Sequence, residues 1–127
     1  MSRRTILTNQ APQPIGPYSQ AVRIGNTVYL SGQVALDPAN GKLVAGDIAA
    51  QTQRIFDNLA AVCEAAGGSL AQLARIGIYL TDLGNFAAVN DVMKERFGEP
   101  YPARSTIGVN KLPLDAQVEI DAVLVLD

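Results

Sequence analysis

Histidine and tryptophan are absent from these 127 residues, and cysteine occurs once, as Cys63. Without histidine the chain has no Ser-His-Asp or Cys-His nucleophile pair, no two-histidine metal site and no histidine-pair ribonuclease mechanism. With a single thiol, a zinc site would have to be built from carboxylates alone, so no metal is expected, and no intrachain disulfide can form. Acid–base chemistry therefore falls to Asp, Glu, Tyr, Lys or water.

Other absences narrow the class further. No run reaches ~18 apolar residues, so no membrane-spanning helix is expected. Met1-Ser2-Arg3-Arg4 is followed only by Ile6 and Leu7 as an apolar pair, too little for a secretory leader, and the expected compartment is the cytoplasm. A basic excess is also missing: 10 Lys and Arg against 12 Asp and Glu give a net charge of −2. That argues against a broad phosphate-binding surface, so nucleic acid is not an expected partner, although a local basic pocket is compatible with it.

What is present suits one domain over residues 1–127, long enough to bury roughly 65–70% of its unfolded surface. Thr5–Leu7 reads as a short strand. The proline-rich Ala11–Pro17 is an ordered loop, since it suits neither a helix nor a central strand. Tyr18–Ile24 and Thr27–Ser31 form a hairpin about Gly25-Asn26. Loop or short strand follows to Gly46. From Asp47 the spacing of Ile48, Thr52, Ile55, Leu59, Val62 and Ala66 predicts a helix that Gly67-Gly68 stops, with Cys63 beside its stripe as a small core residue.

Leu73–Leu80 alternates as a strand, with Ile76, Ile78 and Leu80 on one side and Arg75, Gly77 and Tyr79 on the other. A second helix spans about Asn85–Phe97, capped by Asn85, striped by Phe86, Val89, Met93 and Phe97, and ended by Gly98. The proline-flanked Glu99–Pro102 is extended. Ala103–Val109 and Gln117–Leu126 close the chain as strands around a loop with Leu112-Pro113. The order gives an α/β (α+β) fold, a single mixed sheet of about five or six strands with two helices packed on one face.

Two helices leave the other face of such a sheet uncovered. Alternation puts Val118, Ile120, Ala122 and Leu124 toward the helices and Glu119, Asp121, Val123 and Val125 away. By the same reading Ile107 and Val109 point inward, and Arg104, Thr106 and Gly108 point outward with Tyr29, Ser31 and Tyr79. A face mixing Val123, Val125 and tyrosines with charges reads as a subunit interface.

Arg104 stands alone as a cation at the start of an uncharged strand, offering a planar fork of donors that fits a carboxylate; a salt bridge to Asp115, Glu119 or Asp121 is the competing reading. Glu119 is placed to orient or deprotonate a water, or is simply a carboxylate on a sheet edge. Tyr18 follows a rigid segment and either lines a pocket or packs in the core. Gly32 either lets a ligand approach the backbone or ends a strand. Asn90 falls off the helix stripe and reads as surface, and Lys94 and Arg96 as a solvated helix face.

Five segments in order, Ile15-Gly16-Pro17-Tyr18-Ser19-Gln20-Ala21, Leu30-Ser31-Gly32-Gln33, Phe86-Ala87-Ala88-Val89-Asn90, Pro102-Ala103-Arg104-Ser105 and Val118-Glu119-Ile120-Asp121-Ala122, resemble the RidA/YjgF family of reactive-intermediate deaminases. The resemblance spans essentially the whole chain. It implies a chorismate-mutase-like fold, a homotrimer with pockets between subunits, and metabolite damage control: hydrolysis of 2-imino or enamine acids released by PLP-dependent dehydratases to 2-oxo acids and ammonia, without a cofactor. It puts catalysis on Arg104 and Glu119, and contacts to a small carboxylate substrate on Tyr18, Ser31, Gly32, Asn90, Arg104 and Thr106. Thr106 stands where many members carry cysteine and Gly108 where glutamate is common. An endoribonuclease or translation inhibitor, and a non-enzymatic carboxylate-binding module, are the alternatives.

Overall fold

The computed structural model describes residues 2–127. Strands β1 (Arg4–Ile6), β2 (Ala21–Ile24) and β3 (Thr27–Gln33) lead into helix α1 (Ile48–Ala65). Strand β4 (Leu73–Leu80), helix α2 (Phe86–Arg96) and strands β5 (Ala103–Gly108) and β6 (Val118–Val125) follow. The six strands make one mixed sheet in the order β1-β2-β3-β6-β4-β5. The β4–β5 pair is parallel, with α2 as its crossover, and the other neighbours are antiparallel.

Local chemistry explains each element. Gly25, at φ +60°, opens the two-residue turn that sets Ile24 opposite Thr27. Helix α1 starts where the Asp47 carboxylate accepts the Ala50 N–H at 2.9 Å. It ends in a left-handed turn at Gly67, φ +91°, where the N–H groups of Gly67 and Gly68 donate to Glu64 and Cys63 carbonyls. Asn85, by contrast, makes no side-chain cap for α2. A 3-10 turn over Leu83–Asn85 feeds that helix instead, and Asp82 accepts the Gly84 N–H.

The main core cluster joins Ile55, Phe56, Leu59 and Val62 of α1 and Val89, Val92 and Met93 of α2 to Val28, Leu30, Ile76, Ile78, Leu80, Val118, Ile120 and Leu124 of the sheet, and a small second one gathers Val34, Leu36 and Ala116. Phe56 and Phe97 meet edge to face at 5.3 Å between centroids, worth about 1 kcal/mol beyond the area they bury. Cys63 is fully buried and its thiol is pushed up to about 12, chiefly by burial, which suits the core role expected of it. Arg96 is not a free surface cation: it pairs with Asp57 at 2.9 Å and donates to Gln53 at 2.9 Å, tying α2 to α1.

Strand parity is as expected on β6, where Val118, Ile120, Ala122 and Leu124 are buried against the helices. On β5 it is reversed. Arg104 pairs with Ile76, Thr106 with Ile78 and Gly108 with Leu80, all three partners being core residues, so these three positions face the helices. Ile107 points the other way and is 48% exposed. The alternating apolar residues of β5 misled because this is an edge strand whose helix side is occupied by an arginine.

Candidate functional site

Arg104 sits on the helix side of the sheet edge, beneath α2. Its Nη1 donates to Asn90 Oδ1 at 2.7 Å and contacts Met93 Sδ at 3.3 Å, and its guanidinium carbon lies 5.1 Å from the centre of the Phe86 ring. Phe86, Asn90 and Met93 are spaced i, i+4, i+7, so one stripe of α2 holds the cation by ring face, amide and thioether. Asn90 therefore is not a surface residue, and Phe86, at 41% exposure, is not buried core. That spacing was legible in the sequence, but its role depends on the inward turn of β5.

No carboxylate lies within 4 Å of Arg104: among the described residues, the one salt bridge is Arg96–Asp57. The expected competitors Asp115, Glu119 and Asp121 do not pair with it. The remaining guanidinium donors are thus open to an anion, beside a cavity of about 270 Å³ lined by Asn90, Met93, Lys94, Tyr101, Pro102 and Arg104. Thr106, on the same side of β5, has a hydroxyl oxygen shielded from solvent and without a hydrogen-bond partner.

Glu119 occupies the opposite face. It pairs with Tyr79 across β6 and β4, and its carboxyl group rests over Gly32: a Cβ at Gly32 would lie 2.7 Å from Oε2. The glycine sits in a bulge, since Leu30 pairs with Ala122 and Gln33 with Ile120, leaving Ser31 and Gly32 opposite Asp121 alone. Burial, and then the negative charge of Asp121, hold the Glu119 carboxyl above its ordinary range. Tyr18, 49% exposed, forms one wall of a hollow of about 150 Å³ that also includes Ile15, Gly32, Pro113 and Glu119.

Two buried or half-buried polar groups fix that wall. The Ser31 hydroxyl donates to the Ser19 carbonyl at 2.6 Å, so its side chain is spent on holding the loop. Gln20, fully buried, donates to the carbonyls of Thr8 and Pro12 at 3.0 and 2.9 Å and accepts the Thr8 N–H at 2.7 Å, pinning the proline-rich segment before Tyr18. The fold thus brings Tyr18, Ser31, Gly32 and Glu119 together on one side, and Asn90, Arg104 and Thr106 together on the other. Within one chain the two groups do not meet, contrary to the expectation that Arg104 and Thr106 share the helix-free face with Glu119.

The described residues contain no cluster of three or more His, Cys, Asp or Glu side chains arranged to hold a metal ion, and no helix long and apolar enough to cross a membrane.

Comparisons with known proteins place this geometry. The family model described as endoribonuclease L-PSP matches residues 8–126. A protein of Dermatophagoides farinae named 2-iminobutanoate/2-iminopropanoate deaminase is 48% identical over 98% of both chains. The crystal structure of RidA from an Antarctic Psychrobacter superposes with a TM-score of 0.94 at 46% identity, covering 97% of this chain and 99% of that one. Escherichia coli TdcF, solved with bound serine, does so with a TM-score of 0.90 at 36% identity, covering 98% and 99%. On the whole-length match in sequence and fold, the chain belongs to the RidA/YjgF family.

Proposed function

We propose that the protein hydrolyses short 2-imino acids, such as 2-iminopropanoate and 2-iminobutanoate, to 2-oxo acids and ammonia, at sites shared between the subunits of a homotrimer. The observation that carries this reading is the Arg104 guanidinium, fixed by α2 yet without a carboxylate partner at the mouth of a cavity. The names of the relatives supply the substrate class.

In this mechanism Arg104 binds the substrate carboxylate through two parallel N–H donors, and the Thr106 hydroxyl adds a third polar contact. Water attacks the imine carbon; as the C–O bond forms, the C=N π pair moves to nitrogen, which takes up a proton from solvent. Glu119 accepts the proton lost by the water. Glu119 hands that proton to the amine nitrogen, the C–N bond of the tetrahedral adduct breaks, ammonia leaves, and the hydroxyl returns a proton to solvent as it becomes the oxo group. Such imines hydrolyse unaided at an appreciable rate, and each ~1.4 kcal/mol taken off the barrier is worth tenfold, so a site without metal or cofactor is chemically sufficient.

The opposite faces of Arg104 and Glu119 support the trimer. The two residues lie two strand spacings apart across the sheet and three residues apart along β4, roughly 14 Å between their backbones, and on opposite sides of the sheet. One small substrate reaches both only if the Glu119 face of a second copy packs beside the β5 edge. That face carries Ile24, Tyr29, Ile107 and Val125 exposed, which a neighbouring copy would cover.

The test generates the imine in situ with a dehydratase and follows release of oxo acid and ammonia. Arg104→Lys keeps the charge but loses the fork, and kcat/KM is expected to fall about 10- to 100-fold; Arg104→Ala falls further. Full activity in Arg104→Ala would remove the anchor. The family description favours RNA cleavage as a second reading. Repurified protein that cuts RNA through Arg104 without accelerating imine hydrolysis would establish it, and saturable 2-oxo acid binding without either activity would leave a binding module.

A further inference from the structure

Two glycines in the sheet floor seat two carboxylates. Gly32 lies under Glu119, and Gly77 lies under Asp121, whose Oδ1 would collide with a Cβ there. Glu119 and Asp121 are two residues apart on β6 and point to the same helix-free face. The Tyr79 hydroxyl, on the strand position paired with Glu119, reaches diagonally and donates to Asp121 Oδ2 at 2.9 Å. The Tyr79 hydroxyl thus holds the Asp121 carboxyl group in place beside Glu119 without pairing it to a cation. Arg75 is near the same glycine, yet no salt bridge joins it to Asp121.

We infer that Asp121, held by Tyr79, is a positioning residue for Glu119, its fixed negative charge keeping the glutamate able to hold a proton as well as to take one. The inference rests on the proposed role of Glu119 in imine hydrolysis. There the proton taken from water must be kept on the glutamate long enough to be handed to the departing nitrogen, and a fully solvated carboxylate would surrender it. Asp121 makes and breaks no bond. The raised proton affinity of Glu119, caused first by burial and then by Asp121, agrees with this arrangement. The other titratable or charged groups on this face are Tyr79, paired with Glu119, and Arg75, beside Gly77 and Asp121, both on β4, and Tyr18 on the loop before β2. On the trimer reading, Arg104 of the neighbouring copy joins them, a cation whose effect opposes that of Asp121.

The experiment measures kcat/KM for imine hydrolysis against pH, together with a carboxyl 13C titration of Glu119 in the unliganded protein. Asp121→Asn is expected to move the acid limb, and the Glu119 titration, to lower pH. Tyr79→Phe, which leaves every charge in place and tests the point if the asparagine variant does not assemble, is expected to move both part of the way. Adding Asp121→Asn to Glu119→Gln should change the profile no further. A lower rate with an unmoved limb and an unmoved titration would make Asp121 a purely structural residue and overturn the inference. Wild-type activity and limb in Glu119→Gln would instead overturn the role given to Glu119, a separate failure visible before Asp121 is touched.

Discussion

Gly32 is defined by the group above it rather than by its own backbone. Any side chain there meets the end of the flexible Glu119 carboxyl, not a rigid wall. Gly32→Ala is accordingly expected to push the carboxyl aside, lowering kcat for imine hydrolysis by about tenfold or more while the unfolding free energy drops by less than ~1 kcal/mol; turnover and denaturant titration read the two effects. Glu119 itself carries a stability signature. Its proton affinity is raised on folding above the ordinary 4.5, so the folded state binds its proton more tightly than the unfolded one. The sign follows: stability is fullest below the unfolded value and is lost as pH rises through the folded one. Glu119→Gln is thus expected to melt above the wild type at pH 8, with the gap closing as the pH is lowered toward 4. Arg104 and Glu119 were legible as candidate site residues, because a lone cation and a carboxylate interrupt strand patterns. Phe86, Met93, Tyr79 and Asp121 were not singled out, since each acts through a partner that only the sheet register identifies.

At the scale of elements, the helices were the readable part. The α1 stripe, its aspartate cap and its glycine stop are all local, and local signals survive into the fold unchanged. Removing the cap with Asp47→Ala should cost about 1 kcal/mol, seen as a lowered denaturant midpoint at unchanged slope. Gln20 is a less local device. Its amide satisfies backbone groups of Thr8 and Pro12 that are 12 and 8 residues away, and Gln20→Ala strands them in a partly dry site. A loss of about 1–3 kcal/mol is expected, with faster hydrogen exchange at the Thr8 amide, whose acceptor disappears. The β5 error shows the limit of alternation. Period 2 says which residues share a face but not which face is buried, and on an edge strand the hydrophobic pattern gives no safe answer.

At the scale of the whole molecule, the separation of Arg104 from Glu119 makes a sharp prediction about assembly. Arg104→Ala and Glu119→Gln are each expected to be impaired as pure proteins. Unfolded together and refolded as an equal mixture, they should regain roughly one quarter of the wild-type sites, because a cyclic trimer holding both variants has one boundary with both groups intact. Mass measurement fixes the oligomer, and imine hydrolysis by the mixture reads the sites. Recovery no better than the average of the two pure variants would mean that both groups serve one chain's own site.

The sequence by itself determined the element order, both helices, the inward residues of β6 and the absence of histidine-based chemistry, because propensity, periodicity and composition act over short spans of chain. It also carried the family resemblance, which the whole-length matches bear out. Only the tertiary structure decided that Arg104 turns toward α2 while Glu119 lies over Gly32 on the other side. That choice is made by the pairing of β5 with β4 and by the bulge in β3, both contacts between residues far apart in the chain.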